Sequence, residues 1–141
     1  MDKTYTDDDL TEAWLFGYRR EWNAVWNENG IRYLGLVPHK SGIVNGVIFK
    51  VEHEDFEDFA ISEGSGTGTL DPMYHFINVR TQIGVHEKSN LILTPDDQVL
   101  TCVTVDPSQK GSISPQYQEI INNALKARGP DFAAEFWKTT F

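Results

Sequence analysis

Apolar and polar positions follow two different periods across residues 46–64, and the change of period marks a strand running into a helix. Val47, Phe49 and Val51 fall on every second position, as on one face of a half-buried strand. Phe56, Phe59 and Ala60 then recur at the spacing of three and four that places residues on one side of a helix. Gly64 suits the left-handed residue just past a helix end, so the helix is expected to stop near Ser62 and to leave Glu63 at its mouth.

The remaining pattern supplies strands before helices. Residues 13–18 form a short aromatic-rich apolar run, and residues 31–37 and 42–51 read as two strands joined by a turn containing Pro38, Ser41 and Gly42. Residues 65–72, with Gly66, Gly68 and Pro72, read as a loop. Strand pattern returns over residues 74–85 through Phe76, Ile77, Val79 and Ile83. A hairpin is expected next, with residues 91–93 and 99–105 as its arms and Pro95, Asp96 and Asp97 in its turn. Ser114 and Pro115 open a helix, because Ser accepts from free backbone amides and Pro tolerates the first helical position. Tyr117, Ile120, Ile121, Ala124 and Leu125 mark its apolar face, Gly129 and Pro130 end it, and Phe132 with Phe136 predicts a short last helix packed back on the sheet. About six strands, one helix crossing between them and helices at the end define an α+β fold. The sheet is expected to be small, mixed, mostly antiparallel and barrel-like, with flanking helices.

With 141 residues the chain has the length of one ordinary domain. Residues 1–12 read as an acidic lead-in and residues 13–141 as a single domain. A net charge of −9 opposes a phosphate backbone, so nucleic acid is not an expected partner. No apolar run approaches the ~20 residues of a membrane helix, and the first residues lack the basic-then-apolar order of a signal peptide. A cytoplasmic location without membrane association is therefore expected. The single Cys102 lies in an apolar run and reads as a small core residue.

His39, His53, His75 and His86 stand far apart, and no His or Cys pair has metal-ligand spacing. Neither a metal nor a cofactor is expected. Ser41, Ser62 and Ser65 lack the strand-turn-helix context of a hydrolase nucleophile. Gly64, Gly66 and Gly68 follow a helix rather than open one, unlike a phosphate-binding loop.

The order of these segments carries a resemblance. A first strand through Leu15, Phe16, Gly17 and Tyr18 is followed by a strand closing on Gly46, Val47, Ile48, Phe49, Lys50 and Val51. A helix then leads to Glu63 and Gly64, another strand opens at Tyr74, and Ser114, Pro115, Gln116 and Tyr117 begin the closing helix. This arrangement, over roughly residues 13–138, resembles the gamma-glutamylcyclotransferase-like family, whose members are transferase or lyase-type enzymes.

The resemblance implies that Glu63 is the catalytic acid and base, and that the substrate is a γ-glutamyl amine or similar amino-acid-like small molecule. The product would be 5-oxoproline and a released amine. It further implies substrate contacts from Phe16, Gly17, Tyr18, Arg19, Arg20, Tyr74 and Tyr117, with residues 17–21 as an anion-holding loop. In that loop Arg19 and Arg20 replace the family's Gly and Ser. Loss of Gly removes access to positive φ and to close ligand approach, whereas an Arg can hold a carboxylate through its guanidinium. The Gly-rich residues 65–73 form a longer connection than the family uses, readable as a lid or as a surface insertion. The alternative is a non-catalytic ligand-binding or regulatory protein on the same scaffold.

Overall fold

Two long strands set the frame. In the computed structural model, which describes residues 10–26, 29–62, 72–85, 89 and 91–141, β1 (Thr11–Trp26) and β2 (Ile31–Ile48) form an antiparallel hairpin. Gly30 N donates to Trp26 O at 2.8 Å and Asn29 Oδ1 accepts from Ile31 N at 2.9 Å, so an Asn-Gly pair shapes the turn. The first strand starts at Thr11, two residues ahead of the expected domain boundary. On one edge, β4 (Ile83–Val85) pairs antiparallel with Ala13 to Leu15. On the other, β6 (Ser112–Ile113) pairs parallel with Ile31 and Arg32, completing the order β4-β1-β2-β6. A separate antiparallel pair joins β3 (Tyr74–Asn78) to β5 (Leu100–Thr104). Among the described residues the fold is thus α+β, with mostly antiparallel sheets and three α-helices: α1 (Phe56–Ser62), α2 (Pro115–Arg128) and α3 (Pro130–Lys138).

Three local expectations change. The strands expected over residues 31–37 and 42–51 are one strand interrupted by an excursion. Phe16 faces Ile43 and Tyr18 faces Pro38, so His39, Lys40, Ser41 and Gly42 stand opposite the single residue Gly17. That strand ends at Ile48, after which Phe49 meets Phe59 of α1 edge-on at 5.6 Å.

The strand expected over residues 74–85 breaks at Val79, where a 3-10 turn (Arg80–Gln82) carries the chain from one sheet to the other. Asn78 Oδ1 accepts from Arg80 N at 3.1 Å and from Val99 N at 3.3 Å, offering the backbone an alternative to the ladder.

The hairpin arm at residues 91–93 is not a strand. Its outgoing carbonyls serve the Arg80 guanidinium, which donates to Leu93 O and Thr94 O at 3.0 Å each, while β5 takes β3 as its partner.

Other expectations hold. Helix α1 covers Phe56–Ser62 where a helix was expected, with its expected end falling outside the described residues; Ser114 caps α2 by accepting from Tyr117 N at 3.3 Å, and Gly129 N donates to Leu125 O and Lys126 O as α2 ends. Leu15, Tyr18, Val44, Val79, Val99 and Val103 form the buried core, with Leu36, Ile48, Ile77, Ile83 and Leu93 packed against it. This core joins the long hairpin to the β3-β5 pair. The last helices are tied to the hairpin by Trp14 Nε1 donating to Glu135 Oε1 at 2.8 Å and by Trp22 stacked on Trp137, centroids 6.4 Å apart. Cys102, expected in the core, is only half-buried on β5. No helix among the described residues is long and apolar enough to cross a membrane.

Beyond β5 an exposed turn provides a local pH probe. Ser108 donates to Asp106 Oδ1 through its hydroxyl at 2.5 Å and its backbone N at 3.0 Å, and these bonds hold the carboxyl below its ordinary range. A depressed carboxyl supports structure above its unfolded value and loses that support as pH falls through the folded one. The Ser108 amide resonance is therefore expected to shift toward its random-coil position only below the ordinary Asp range. A midpoint at or above that range would contradict the hydrogen-bonded turn.

Candidate functional site

The residues proposed for chemistry separate into two groups by strand geometry. At Gly17 the backbone takes a positive φ of 92°, which glycine adopts without Cβ strain, and the β1-β2 register shifts there. The shift places Tyr18 in the core together with Leu15, although the two are three residues apart. A flat strand would have turned them to opposite faces. Phe16, on the other side of the bulge, is exposed, and its carbonyl accepts from Gln82 Nε2 at 3.2 Å.

Residues 17–21, expected as an anion-holding loop, lie instead within β1. Tyr18, Arg19, Arg20 and Glu21 pair with Pro38, Val37, Leu36 and Gly35, and on the free edge Phe141 N donates to Arg20 O at 2.8 Å. The long hairpin and the returning C-terminal residues both use this backbone. Residues 18–21 are therefore strand, with a neighbour on each edge, rather than the expected loop.

The two arginines have different surroundings. Arg19 is turned outward: its guanidinium pairs with Glu21, with Nε donating to Oε2 at 2.7 Å, and sits 4.9 Å from the Phe141 ring centroid. Arg20 is 7% exposed. Its Nη1 donates to Phe136 O at 3.0 Å, Thr139 Oγ1 at 3.2 Å and Thr140 Oγ1 at 3.4 Å, and its Nη2 donates to Asn45 O. The Phe136 ring lies 3.8 Å from the guanidinium carbon. All these partners are neutral, and among the described residues no carboxylate pairs with Arg20. Burial pulls the guanidinium down to about 10, leaving it cationic at neutral pH.

Arg20 borders a cleft of about 870 Å³, within the size range of small-molecule sites. The hairpin contributes Leu15, Leu34, Leu36, Val44 and Asn45, and the chain leaving β2 contributes Phe49, Lys50 and Val51. Phe56 and Phe59 of α1 form another wall, held against Phe76 of β3 with centroids 5.1 and 6.2 Å apart. Trp14, Tyr74 and Tyr117 add to the aromatic lining. Tyr74 donates its hydroxyl to Leu34 O, whereas Tyr117 packs edge-on against Tyr33 at 4.6 Å and Trp22 at 5.9 Å.

The cleft thus brings together Arg20, Tyr74 and Tyr117; Phe16, Gly17, Tyr18 and Arg19 are not among its lining residues. Glu63 follows α1 directly in sequence but lies outside the described residues.

Comparisons with protein-family models, curated proteins and solved structures find no match.

The structure adds one polar residue to the candidates. Asn45 is 2% exposed and lines the cleft; its Nδ2 donates to Phe132 O at 3.1 Å, whereas its Oδ1 has no hydrogen-bond partner among the described residues. A buried acceptor without a donor is costly, which makes it a prospective ligand contact. The visible sequence signal was an Asn between Val44 and Gly46 inside an apolar strand, where β-propensity disfavours it.

Proposed function

We propose that the chain is a gamma-glutamylcyclotransferase-like enzyme, with a γ-glutamyl amine as substrate and Glu63 as its proton-transfer group. The observation that carries the reading is that Phe56 and Phe59 of α1, the helix that runs up to Ser62 and so toward Glu63 in sequence, line the same cleft as Arg20, Tyr74 and Tyr117. As part of the same proposal, the two sheets close around their shared core as a small mixed barrel.

The chemistry requires little beyond positioning. The substrate's α-amine attacks its own γ-carbonyl carbon, forming the ring C–N bond as the bond to the departing amine breaks. Because nucleophile and carbonyl are tethered, ring closure has the advantage of an intramolecular reaction. The α-ammonium must lose two protons, one before attack and one as its nitrogen becomes the ring N–H, and the departing nitrogen takes up two to leave as an ammonium ion. A single carboxylate that relays each proton in turn from the first nitrogen to the second balances the reaction without a metal or redox partner.

A second reading is favoured by the strand conformation of residues 17–21 and by Arg20 in the cleft wall: a binding protein on this scaffold, without turnover. Incubating the protein with a panel of γ-glutamyl amines and peptides, while measuring both 5-oxoproline and released amine, separates the two. Equimolar release of both is expected. Binding without release across the panel would replace the enzyme by the binding protein.

A further inference from the structure

Arg20 and Asn45 are adjacent, nearly sealed from solvent, and incompletely satisfied in complementary ways. The guanidinium has five N–H groups. Its Nε–H and one Nη2 N–H have no acceptor among the described residues, and its charge faces only neutral partners. Asn45 contributes the opposite deficit, an acceptor oxygen without a donor. The Nη2 bond to Asn45 O holds the two residues together, and both line the cleft.

Neither residue is free to look elsewhere. The Phe136, Thr139 and Thr140 oxygens fix the guanidinium plane, while the Nδ2 bond to Phe132 O fixes which end of the Asn45 amide is the acceptor. A preorganised donor fork carrying positive charge beside a preorganised acceptor matches a group with an anion and an N–H donor on neighbouring atoms. The α-carbon of a free amino acid has this combination.

We infer that Arg20 and Asn45 recognise the α-amino-acid head of the ligand, Arg20 taking the carboxylate through its unused N–H groups and Asn45 Oδ1 accepting an N–H from the amino group. The remainder of the ligand extends along the aromatic walls. A neutral acceptor can hold the amino group in either protonation state, so the contact persists after the proton needed for attack has left. The assignment rests on the functional reading above only for the ligand's distal γ-amide; the head-group contacts do not depend on turnover.

The test is calorimetric titration of the wild-type protein with L-glutamine, N-acetyl-L-glutamine and L-glutaminamide, with L-norvaline as an amino acid lacking the γ-amide. Capping either the amino group or the carboxylate is expected to weaken binding by at least about tenfold. Arg20→Lys, which keeps the charge but loses the fork, is expected to weaken L-glutamine binding similarly while leaving the capped carboxamide unaffected. Binding should also shift the Arg20 Nε–H resonance of the wild-type protein, a readout independent of whether variants fold. Equal affinities for free and capped ligands, or no detectable binding of any probe, would overturn the inference. Release of 5-oxoproline from γ-glutamyl amines with no penalty for capping in binding would overturn it while leaving the enzyme reading intact. Binding of L-norvaline with the same dependence on a free carboxylate, and no turnover of any γ-glutamyl amine, would support it while removing the enzyme reading.

Discussion

Replacing Gly42 with alanine is expected to cost about 3 kcal/mol of stability, through the strain of overpacking a filled site, and to lower the melting temperature by roughly 10 °C. A Cβ at this position would stand 2.1 Å from Tyr18 O and 2.6 Å from Tyr18 C. Both are main-chain atoms, so no rotamer change can make room. Either the excursion of β2 opens or Tyr18 leaves the core. Gly46, farther along the same strand, is the matched control: a Cβ there meets nothing within 4 Å. Thermal unfolding of Gly42→Ala beside Gly46→Ala should therefore show a large loss for the first and a change near zero for the second. Similar melting temperatures for the two variants would mean that the hairpin does not approach itself this closely opposite Gly17.

The largest expected loss of activity follows Glu63→Gln. The amide has nearly the same shape but can neither accept the α-ammonium proton nor return it to the leaving amine. Since general acid-base catalysis contributes on the order of 10²–10⁴-fold, 5-oxoproline release should fall by at least about a hundredfold. Binding of L-glutamine should change far less, because its head-group contacts are assigned to Arg20 and Asn45. Steady-state rates of 5-oxoproline formation by the wild type and the variant measure the effect. Turnover at the wild-type rate would remove Glu63 from the mechanism.

The contrast between these sites shows how much of the molecule was legible beforehand. Periodicity located α1, α2 and α3 because each follows from contacts within a few residues: Phe56 and Phe59 on one face, Ser114 and Pro115 at a start, Gly129 at an end. Pairing was less accessible, because it depends on distant groups competing for the same backbone. The segment at residues 91–93 has enough apolar residues for a strand, yet Arg80 binds the carbonyls of Leu93 and of Thr94 just after it. Likewise Gly17 and Gly42 are ordinary turn signals locally, and only the opposed strand turns them into a bulge against an excursion.

Of the candidate site, the tyrosines and Arg20 came from the order of segments. The partition between Arg19 and Arg20 could not, since strand alternation and the bulge decide which guanidinium faces the cleft. Asn45 was visible only as a polar residue in an apolar strand, without a task until its unpaired oxygen was located.

The tie between Arg20 and α3 also orders events in folding. The hairpin of β1 and β2 closes through contacts local to its turn, but Phe136 O, Thr139 Oγ1 and Thr140 Oγ1 lie 116, 119 and 120 residues from Arg20. Contacts of such separation carry a large loop-closure cost until the intervening chain is organised. A refolding chain should therefore acquire its β1-β2 hairpin before its guanidinium is immobilised, and ligand affinity should appear in step with docking of the last helix. In that order the proposed recognition comes last.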